Sequence, residues 1–308
     1  MQMLPAFPAP SKMLPSFPSS RTPARCVAVI FLGLAQSLFA ATPSGQSIPT
    51  TPMDATALVR RAIQHRLDAG KSHRPMQYLL HRVDERRDTT KLIVETRDGD
   101  VARLVAINGK PIGGDAEQYE LARLDSLAQH PELQEHTRKV EQKDAERTTH
   151  LLSLLPDAYL FKLEGVVPCS AGQCYRLTFT PNPNFVPPDM ESQILRGTAG
   201  EVWIDQAQER LNSLSAHFIS NVAFGFGIIV KLNKGSTVYL EQNDVGGHDW
   251  ELTGLKLHVT GKALMLKSLS FQITENASHF SPVAPNLSYR DAIQLLKKYD
   301  PSQTPYTP

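Results

Sequence analysis

The sequence predicts an α+β fold that is mainly antiparallel β: a curved sheet, or unclosed half-barrel, with helices that cover or plug its concave face. Strand-like runs follow one another from residue 159 to residue 274, and short turns connect them. Helical periodicity is confined to a few segments, of which the first is amphipathic. Hydrophobic residues make up 41% of the 308-residue chain, which is enough to bury a core.

The N-terminus has the pattern of a secretory signal peptide over residues 1–41. Arg21 and Arg25 precede a short apolar run from Cys26 to Ala41. The run is shorter than the ~20 residues that a membrane span needs, although an uncleaved anchor is an alternative interpretation. We therefore expect an exported protein, either periplasmic in a bacterial envelope or secreted. A repeated motif leaves the start at Met1 or Met13 open.

The elements before residue 156 are a linker, a helix, three strands and a charged segment. Residues 42–53 are rich in Ser, Thr, Pro and Gly and predict the linker. Asp54 is suited to cap a helix over residues 55–67. The charged segment 114–155 predicts two helices, the second from Pro131, with a solvated face. The three predicted strands are Met76–Val83, Lys91–Thr96 and Val101–Ile107.

The rest of the chain predicts a long antiparallel meander that ends in a helix. Ser288 and Asp291 have capping-box spacing before a helix over Tyr289–Lys298, and residues 299–308 predict a disordered tail. Residues 54–298 thus form one predicted domain. The predicted strands after the charged segment are 159–165, 174–180, 200–205, 210–218, 222–232, 237–242, 250–260 and 263–274.

Cys169 and Cys174 lie on either side of a turn between two strand-like runs. Facing positions of an antiparallel pair are ~4.5–5.5 Å apart, within reach of a disulfide. A structural disulfide is the favoured interpretation, and export permits it. A redox pair or half of a metal site is the alternative, but a redox pair is usually spaced C-x-x-C and a zinc site needs more ligands.

Several classes of function are disfavoured. The net charge of +1 lacks the basic surplus of a nucleic-acid-binding protein. The sequence contains no G-x-S-x-G, H-E-x-x-H or phosphate-loop motif, so we expect a non-enzymatic protein without cofactor or metal. A hydrolase that uses His217 or His258 is a weaker hypothesis. We expect a monomer.

Several segments resemble the periplasmic outer-membrane lipoprotein carrier and related secreted bacterial proteins. The first set is Gly197–Leu211 (GTAGEVWIDQAQERL), the Lys234-Gly235 turn and the WELT run at Trp250. Val105–Ile112 (VAINGKPI) and Pro181–Pro188 (PNPNFVPP) are more similar to an uncharacterised secreted group of the same type. The resemblance spans residues 54–298. It implies an unclosed barrel around a helix, with an apolar cavity that accepts acyl chains.

Two apolar runs are candidates for the wall of such a cavity. If residues 222–232 form one strand, its alternate positions put the bulky side chains on one face. These positions either fill the core against the N-terminal helix or line an acyl pocket, and the two interpretations are compatible. The predicted ligand-binding residues are Val222, Phe224, Phe226, Ile228, Met265, Leu269 and Phe271.

The sequence therefore favours an exported binding protein that holds a lipid or acyl group, possibly that of a lipoprotein, in an apolar half-barrel cavity. Its expected partner is a lipid or a lipidated protein. The alternative is an envelope protein-interaction or sensing module that uses the charged helical segment 114–155 to bind an envelope protein.

Overall fold

The computed structural model describes residues 53–71, 73–224, 230–263 and 267–305. These residues form an open antiparallel sheet of 13 strands with helices packed against it, which confirms the predicted α+β class. The predicted signal peptide and nearly all of the predicted linker lie outside the described residues.

The helices of the described chain are α1 (Ala55–Lys71), α2 (Gly114–Gln129), α3 (Pro131–Ala158) and α4 (Tyr289–Lys298), and 3-10 turns span Ser192–Gly197 and Pro301–Gln303. The strands are β1 (Met76–Asp84), β2 (Arg87–Val94), β3 (Val101–Ile107), β4 (Lys110–Pro111), β5 (Tyr159–Cys169), β6 (Gly172–Pro181), β7 (Thr198–Asp205), β8 (Leu211–Phe218), β9 (Val222–Phe224), β10 (Val230–Leu232), β11 (Thr237–Asp244), β12 (Trp250–Ala263) and β13 (Lys267–Pro282). Their order in the sheet is β4-β3-β2-β1-β13-β12-β11-β8-β7-β6-β5, with β10 paired to both β9 and β12.

Local sequence signals account for several of these boundaries. Strand β3 and helix α4 have the predicted bounds, and the Ser288 hydroxyl accepts a hydrogen bond from the Asp291 amide at 3.2 Å. Helix α1 continues to Lys71, and β2 begins earlier than predicted, at Arg87. The predicted disordered tail instead contains a 3-10 turn whose first residue, Pro301, is buried.

The prediction of one strand over residues 222–232 is wrong. Val222 pairs with Leu232 and Phe224 pairs with Val230, so β9 and β10 are two short antiparallel strands. An alternation of bulky and small residues does not distinguish one strand from two strands that fold back on each other. Val222 and Phe224 are still alternate residues of one strand, β9.

The disulfide between Cys169 and Cys174 closes the β5–β6 hairpin and confirms the structural interpretation. The two Cα atoms are 5.9 Å apart, and the Cys174 side chain is buried. Neither sulfur is free to serve as a redox thiol or metal ligand while this bond is intact. The described residues also contain no group of three or more His, Cys, Asp or Glu side chains placed to hold a metal ion.

One face of the sheet, here called the inner face, is defined by a row of paired apolar residues that crosses six strands. Directly opposed residues point to the same face, so the row is continuous. Adjacent strands are about 4.8 Å apart, which makes the row about 24 Å long. Its members from β5 to β12 are Leu163, Leu177, Val202, Leu214, Leu240 and Leu255.

The opposite face of β1–β3 packs against α2 and α4. Its cluster contains Leu79, Val94 and Val105 from the strands, with Leu124 from α2 and Leu296 from α4. Within the same layer, the Arg103 side chain is completely buried. Its guanidinium donates to the carbonyl oxygens of Leu296 and Tyr299, both at 2.6 Å, and to the Glu117 carboxylate at 2.8 Å. Arg103 thus binds carbonyls at the end of α4.

Helix α3 runs from one side of the sheet to the other. Near its start, the Gln134 amide donates to the Asp98 carbonyl at 3.1 Å, in the turn between β2 and β3. Near its end, Leu152 and Leu155 pack against the apolar cluster of the inner face, next to β5. The charged segment is therefore built into the fold at both ends of α3, while its middle exposes charged side chains.

Candidate functional site

Helix α1 covers part of the inner face. Its apolar residues Leu58, Val59, Ala62 and Ile63 are between 0% and 7% exposed and belong to the same cluster as the apolar row. At the rim, Arg60 pairs with Asp157 at 2.9 Å and Arg61 pairs with Glu209 at 2.7 Å. Such exposed ion pairs contribute little, typically ~0–1 kcal/mol. Burial of the apolar side chains, at about 1.5–3 kcal/mol for each larger one, therefore holds α1 in place.

The predicted ligand-binding residues that can be located lie together. Val222 is paired with Leu232, Leu232 with Gly261, and Gly261 with Leu269, so these four residues share one row across β9, β10, β12 and β13. Val222 is buried in the inner cluster and Leu269 is half-buried.

The other members of the predicted set are less completely placed. Phe271 packs against the inner cluster. Phe224 is a residue of β9. Phe226, Ile228 and Met265 lie outside the described residues. The ligand-binding role of the whole set stays a prediction.

A small pocket lies on the inner face beside β1 and β13. Its volume is about 30 Å³, which is room for roughly one water molecule. Tyr78, Leu80 and Phe280 form its apolar wall, and the carboxylates of Glu251 and Glu275 also line it. An acyl chain needs far more space than this pocket offers. An acyl chain could therefore enter at this point only if the side chains that line the pocket moved.

A larger polar cleft of about 470 Å³ lies where α1 ends. In its wall, the His73 ring lies between two carboxylates, 2.5 Å from Glu95 and 3.2 Å from Glu251. Arg74 pairs with Asp249 at 2.5 Å, and the Arg210 guanidinium donates to the His65 carbonyl at 3.3 Å. The charges of this cleft therefore largely satisfy one another, which favours a structural role in anchoring the end of α1.

The apolar row of the inner face ends in charged side chains on β13 and β1. Leu255 is paired with Glu275, and Glu275 with Arg82, so both charged residues continue the row. The Glu275 side chain is 4% exposed and accepts from Arg82 at 2.8 Å. Burial raises the pKa of Glu275, and the Arg82 guanidinium partly opposes this shift. These charges are desolvated at the edge of an apolar surface, which is unusual without a compensating function.

Lys91 lies beside this ion pair on β2. It is paired with Leu80, which is paired in turn with Ala277, so its side chain points to the inner face. Burial lowers the pKa of Lys91, and the positive charges of Arg123 and Arg82 lower it further. In the part of the chain that the structure describes, Lys91 has no hydrogen bond or ion pair with another side chain. Arg82, Glu275 and Lys91 are called the charged end of the inner face below.

Sequence reasoning missed the charged end, although a signal was present. Arg82 lies two positions after Leu80, and Glu275 lies two positions after Ile273, at spacings that put them on the buried face of their strands. A charged residue at an inward position of a predicted strand indicates a buried ion pair or a binding group. The partners could not be identified, because Arg82 and Glu275 are 193 residues apart.

The two histidines of the hydrolase hypothesis lie on the outer side. His217 and His258 are both paired with Thr237, whose neighbour Val238 belongs to the inner cluster. Burial, together with the charge of Lys234, lowers the pKa of His217. Neither ring is hydrogen-bonded to a carboxylate within the described ranges, so the base-orienting group of a hydrolytic triad is not found there.

Comparisons with known proteins give distant likenesses. No family model and no curated protein matches the sequence. One similar solved structure is a domain from Vibrio parahaemolyticus, described as an outer membrane lipoprotein-sorting protein domain. It is 10% identical and covers 78% of this chain and 100% of its own, with a TM-score of 0.29. Another is MucB in complex with MucA(peri), at 10% identity, 75% and 100% coverage and a TM-score of 0.21. At these scores neither likeness identifies a family. Among the described residues, no helix has both the length and the apolar character to cross a membrane.

Proposed function

We propose that this protein is an exported, non-enzymatic binding protein that holds a lipid or the acyl group of a lipoprotein on its inner face. The observation that carries the proposal is the apolar row across six strands, against which α1 and the end of α3, rather than a second sheet, pack. A helix that lies on such a surface makes the same kind of contacts that an acyl chain would make. Exchange of one for the other therefore costs less than exposure of the surface to water.

The first half of helix α1 is suited to this exchange because its ion pair with α3 is weak. The Arg60–Asp157 pair is between side chains that are 57% and 65% exposed, so water competes with it. We propose that the ligand enters by displacing α1.

Export and the absence of catalysis are parts of the same proposal. The Cys169–Cys174 disulfide is typical of an oxidising compartment, which supports export to the periplasm or beyond. The non-enzymatic assignment is supported by the sequence, which contains none of the common catalytic motifs.

The test compares two leucines that are completely buried on opposite sides of the sheet. Leu58 of α1 packs on the inner face, whereas Leu296 of α4 packs on the outer layer. Leu58→Ala and Leu296→Ala should both destabilise the protein, by about 2–5 kcal/mol. Only Leu58→Ala should strengthen binding of a fluorescent fatty acid such as cis-parinaric acid, because only it loosens α1.

The measurement is a fluorescence titration of the chain from Thr42 onward, under conditions where both variants remain folded by circular dichroism. If both variants bind the probe with the same increased affinity, general loosening of the protein, and not displacement of α1, controls entry of the ligand. No saturable binding in any of the three proteins would refute the proposal. Native mass spectrometry of the purified protein, with solvent extraction, shows in parallel whether an acyl lipid is already bound.

A second candidate function is an envelope protein-interaction or sensing module built on α2 and α3. Tyr119 of α2 favours it, since this side chain is 76% exposed and aromatic residues are enriched in protein interfaces. On this hypothesis Tyr119→Ser abolishes partner binding and leaves fatty-acid affinity unchanged. If Tyr119→Ser changes only the affinity for fatty acid and leaves partner binding intact, the interaction-module hypothesis is contradicted.

A further inference from the structure

The charged end of the inner face has more positive than negative charge available to a ligand. Glu275 is already bound by Arg82, at 2.8 Å. Glu120 accepts from the Leu104 amide at 2.8 Å and from Arg123 at 2.7 Å, and Glu251, which lines the small pocket beside Glu275, lies 3.2 Å from the His73 ring. These acidic groups are therefore occupied by partners other than Lys91.

The Lys91 ammonium is thus partly shielded from water and lies near other positive charges. Its charge interacts unfavourably with Arg123, Arg82 and Arg87. A lysine that only filled space in the sheet would be more stable as an apolar residue, because burial of an unpaired ammonium is costly. An anion bound beside it would compensate both the lost hydration and the repulsion among these basic groups.

The position of Lys91 also fits the geometry of an amphiphile. Its partner in register is Leu80, and Leu80 lies two positions before Arg82, where the apolar row ends. A molecule whose apolar part follows the row from β5 towards β13 therefore brings its polar end to Lys91.

We propose that Lys91 binds the anionic headgroup, a phosphate or carboxylate, of an amphiphile whose acyl part lies on the inner face. This inference rests on the proposed acyl-binding function and adds the charge of the ligand to it. Arg82 helps to hold the headgroup region positive while it remains paired with Glu275. The binding group is accordingly a single lysine at the junction of apolar and charged surface.

The experiment measures affinities for three probes by isothermal titration calorimetry, with the chain from Thr42 onward. The probes are hexadecyl phosphate, the neutral 1-monopalmitoylglycerol and inorganic phosphate. The variants are Lys91→Met, which removes the charge and keeps a similar length, and Lys91→Arg, which keeps the charge. The control is Lys162→Met on β5, where the lysine is 76% exposed and bound to Glu164.

The wild-type protein should bind hexadecyl phosphate roughly tenfold or more tightly than the neutral lipid, as expected for one charge-assisted hydrogen bond. Lys91→Met should remove this preference and leave the affinity for 1-monopalmitoylglycerol unchanged. Lys91→Arg should retain much of it, and Lys162→Met should behave as wild type. Thermal melts should show Lys91→Met folded and more stable than wild type, because it lacks the desolvated charge.

The outcomes separate this inference from the function on which it rests. If both amphiphiles bind equally well to wild type and to Lys91→Met, the headgroup assignment is wrong and acyl binding stands. If neither amphiphile binds, both proposals are wrong. If the affinity for inorganic phosphate equals the affinity for hexadecyl phosphate, Lys91 recognises a free anion, and the link to an amphiphile is overturned.

Discussion

Replacement of Arg103 should be among the most damaging single changes in this protein. The side chain is completely buried and joins three elements: β3, which carries it, the end of α4, and Glu117 of α2. Three short contacts to carbonyl or carboxylate oxygens, at 2.6, 2.6 and 2.8 Å, are lost in Arg103→Met. Hydrogen bonds to charged groups contribute about 1.5–3 kcal/mol each, so the gross loss is about 4.5–9 kcal/mol.

The net loss should be smaller, because methionine fills much of the same space and needs no desolvation of charge. Removal of one partner of a buried charged network typically costs about 3–5 kcal/mol, and we expect about 4 kcal/mol here. That is a large part of the ~5–15 kcal/mol by which a protein is usually stable. Arg103→Lys should lose less, since an ammonium keeps the charge but lacks the planar fork that reaches several oxygens at once.

The assay is urea unfolding followed by tryptophan fluorescence, with the free energy of unfolding extrapolated to water. Arg138→Met is the matched control: Arg138 contacts Glu135 at the same 2.8 Å, but on the solvated surface of α3. It should leave the unfolding midpoint unchanged within error. A loss below about 1 kcal/mol for Arg103→Met would refute the view that this residue secures α4 to the sheet.

Three further predictions concern the sheet. Cys169→Ala combined with Cys174→Ala opens a six-residue loop, which should cost about 2 kcal/mol in the free energy of unfolding by the loop-entropy relation, measured by urea denaturation and compared with reduced wild type. Gly200→Ala should prevent correct packing of β7 on β8, because the added Cβ would lie 2.1 Å from the Cβ of Ala216. The variant should then fail to express in soluble form or melt at a much lower temperature. An unchanged melting temperature would contradict this close approach. For Lys91, burial and the surrounding Arg82, Arg87 and Arg123, only partly offset by Glu120 and Glu275, hold the pKa below its ordinary 10.5. The folded state therefore disfavours the ammonium form, and the stability of the wild type should rise with pH between the lowered pKa of Lys91 and 10.5. Lys91→Met should be more stable than wild type at pH 7 and should lose that advantage above pH 10.5. Thermal melts across this pH range measure the difference.

Much of the framework could be predicted from local chemistry. Helix α4 has the predicted bounds because a serine cap and an amphipathic pattern specify it within ten residues. The β5–β6 hairpin and its disulfide also depend on neighbouring positions. In each case, the information that specifies the element lies within a short stretch of sequence.

Interactions between distant segments could not be predicted in this way. Residues 222–232 had the alternation of one strand, and only the mutual pairing of β9 and β10 shows that they are two strands. Arg103 and Leu296 are 193 residues apart, so nothing near Arg103 indicates that it binds the end of a helix. The binding role proposed for Lys91 likewise depends on which face of the sheet α1 covers, and this is a property of the whole topology.

The pairing of β1 with β13 has a consequence for how the chain folds as it emerges. Gln77 and Ser281 contact each other across 204 positions of sequence. Strand β1 can therefore pair with β13 only after the chain between them has been made. Closure of so long a loop is entropically costly and slows folding. In a chain that emerges N-terminus first, β1 can pair with β2, but its other edge stays unpaired until β13 is available. Completion of the sheet thus requires the chain as far as Pro282.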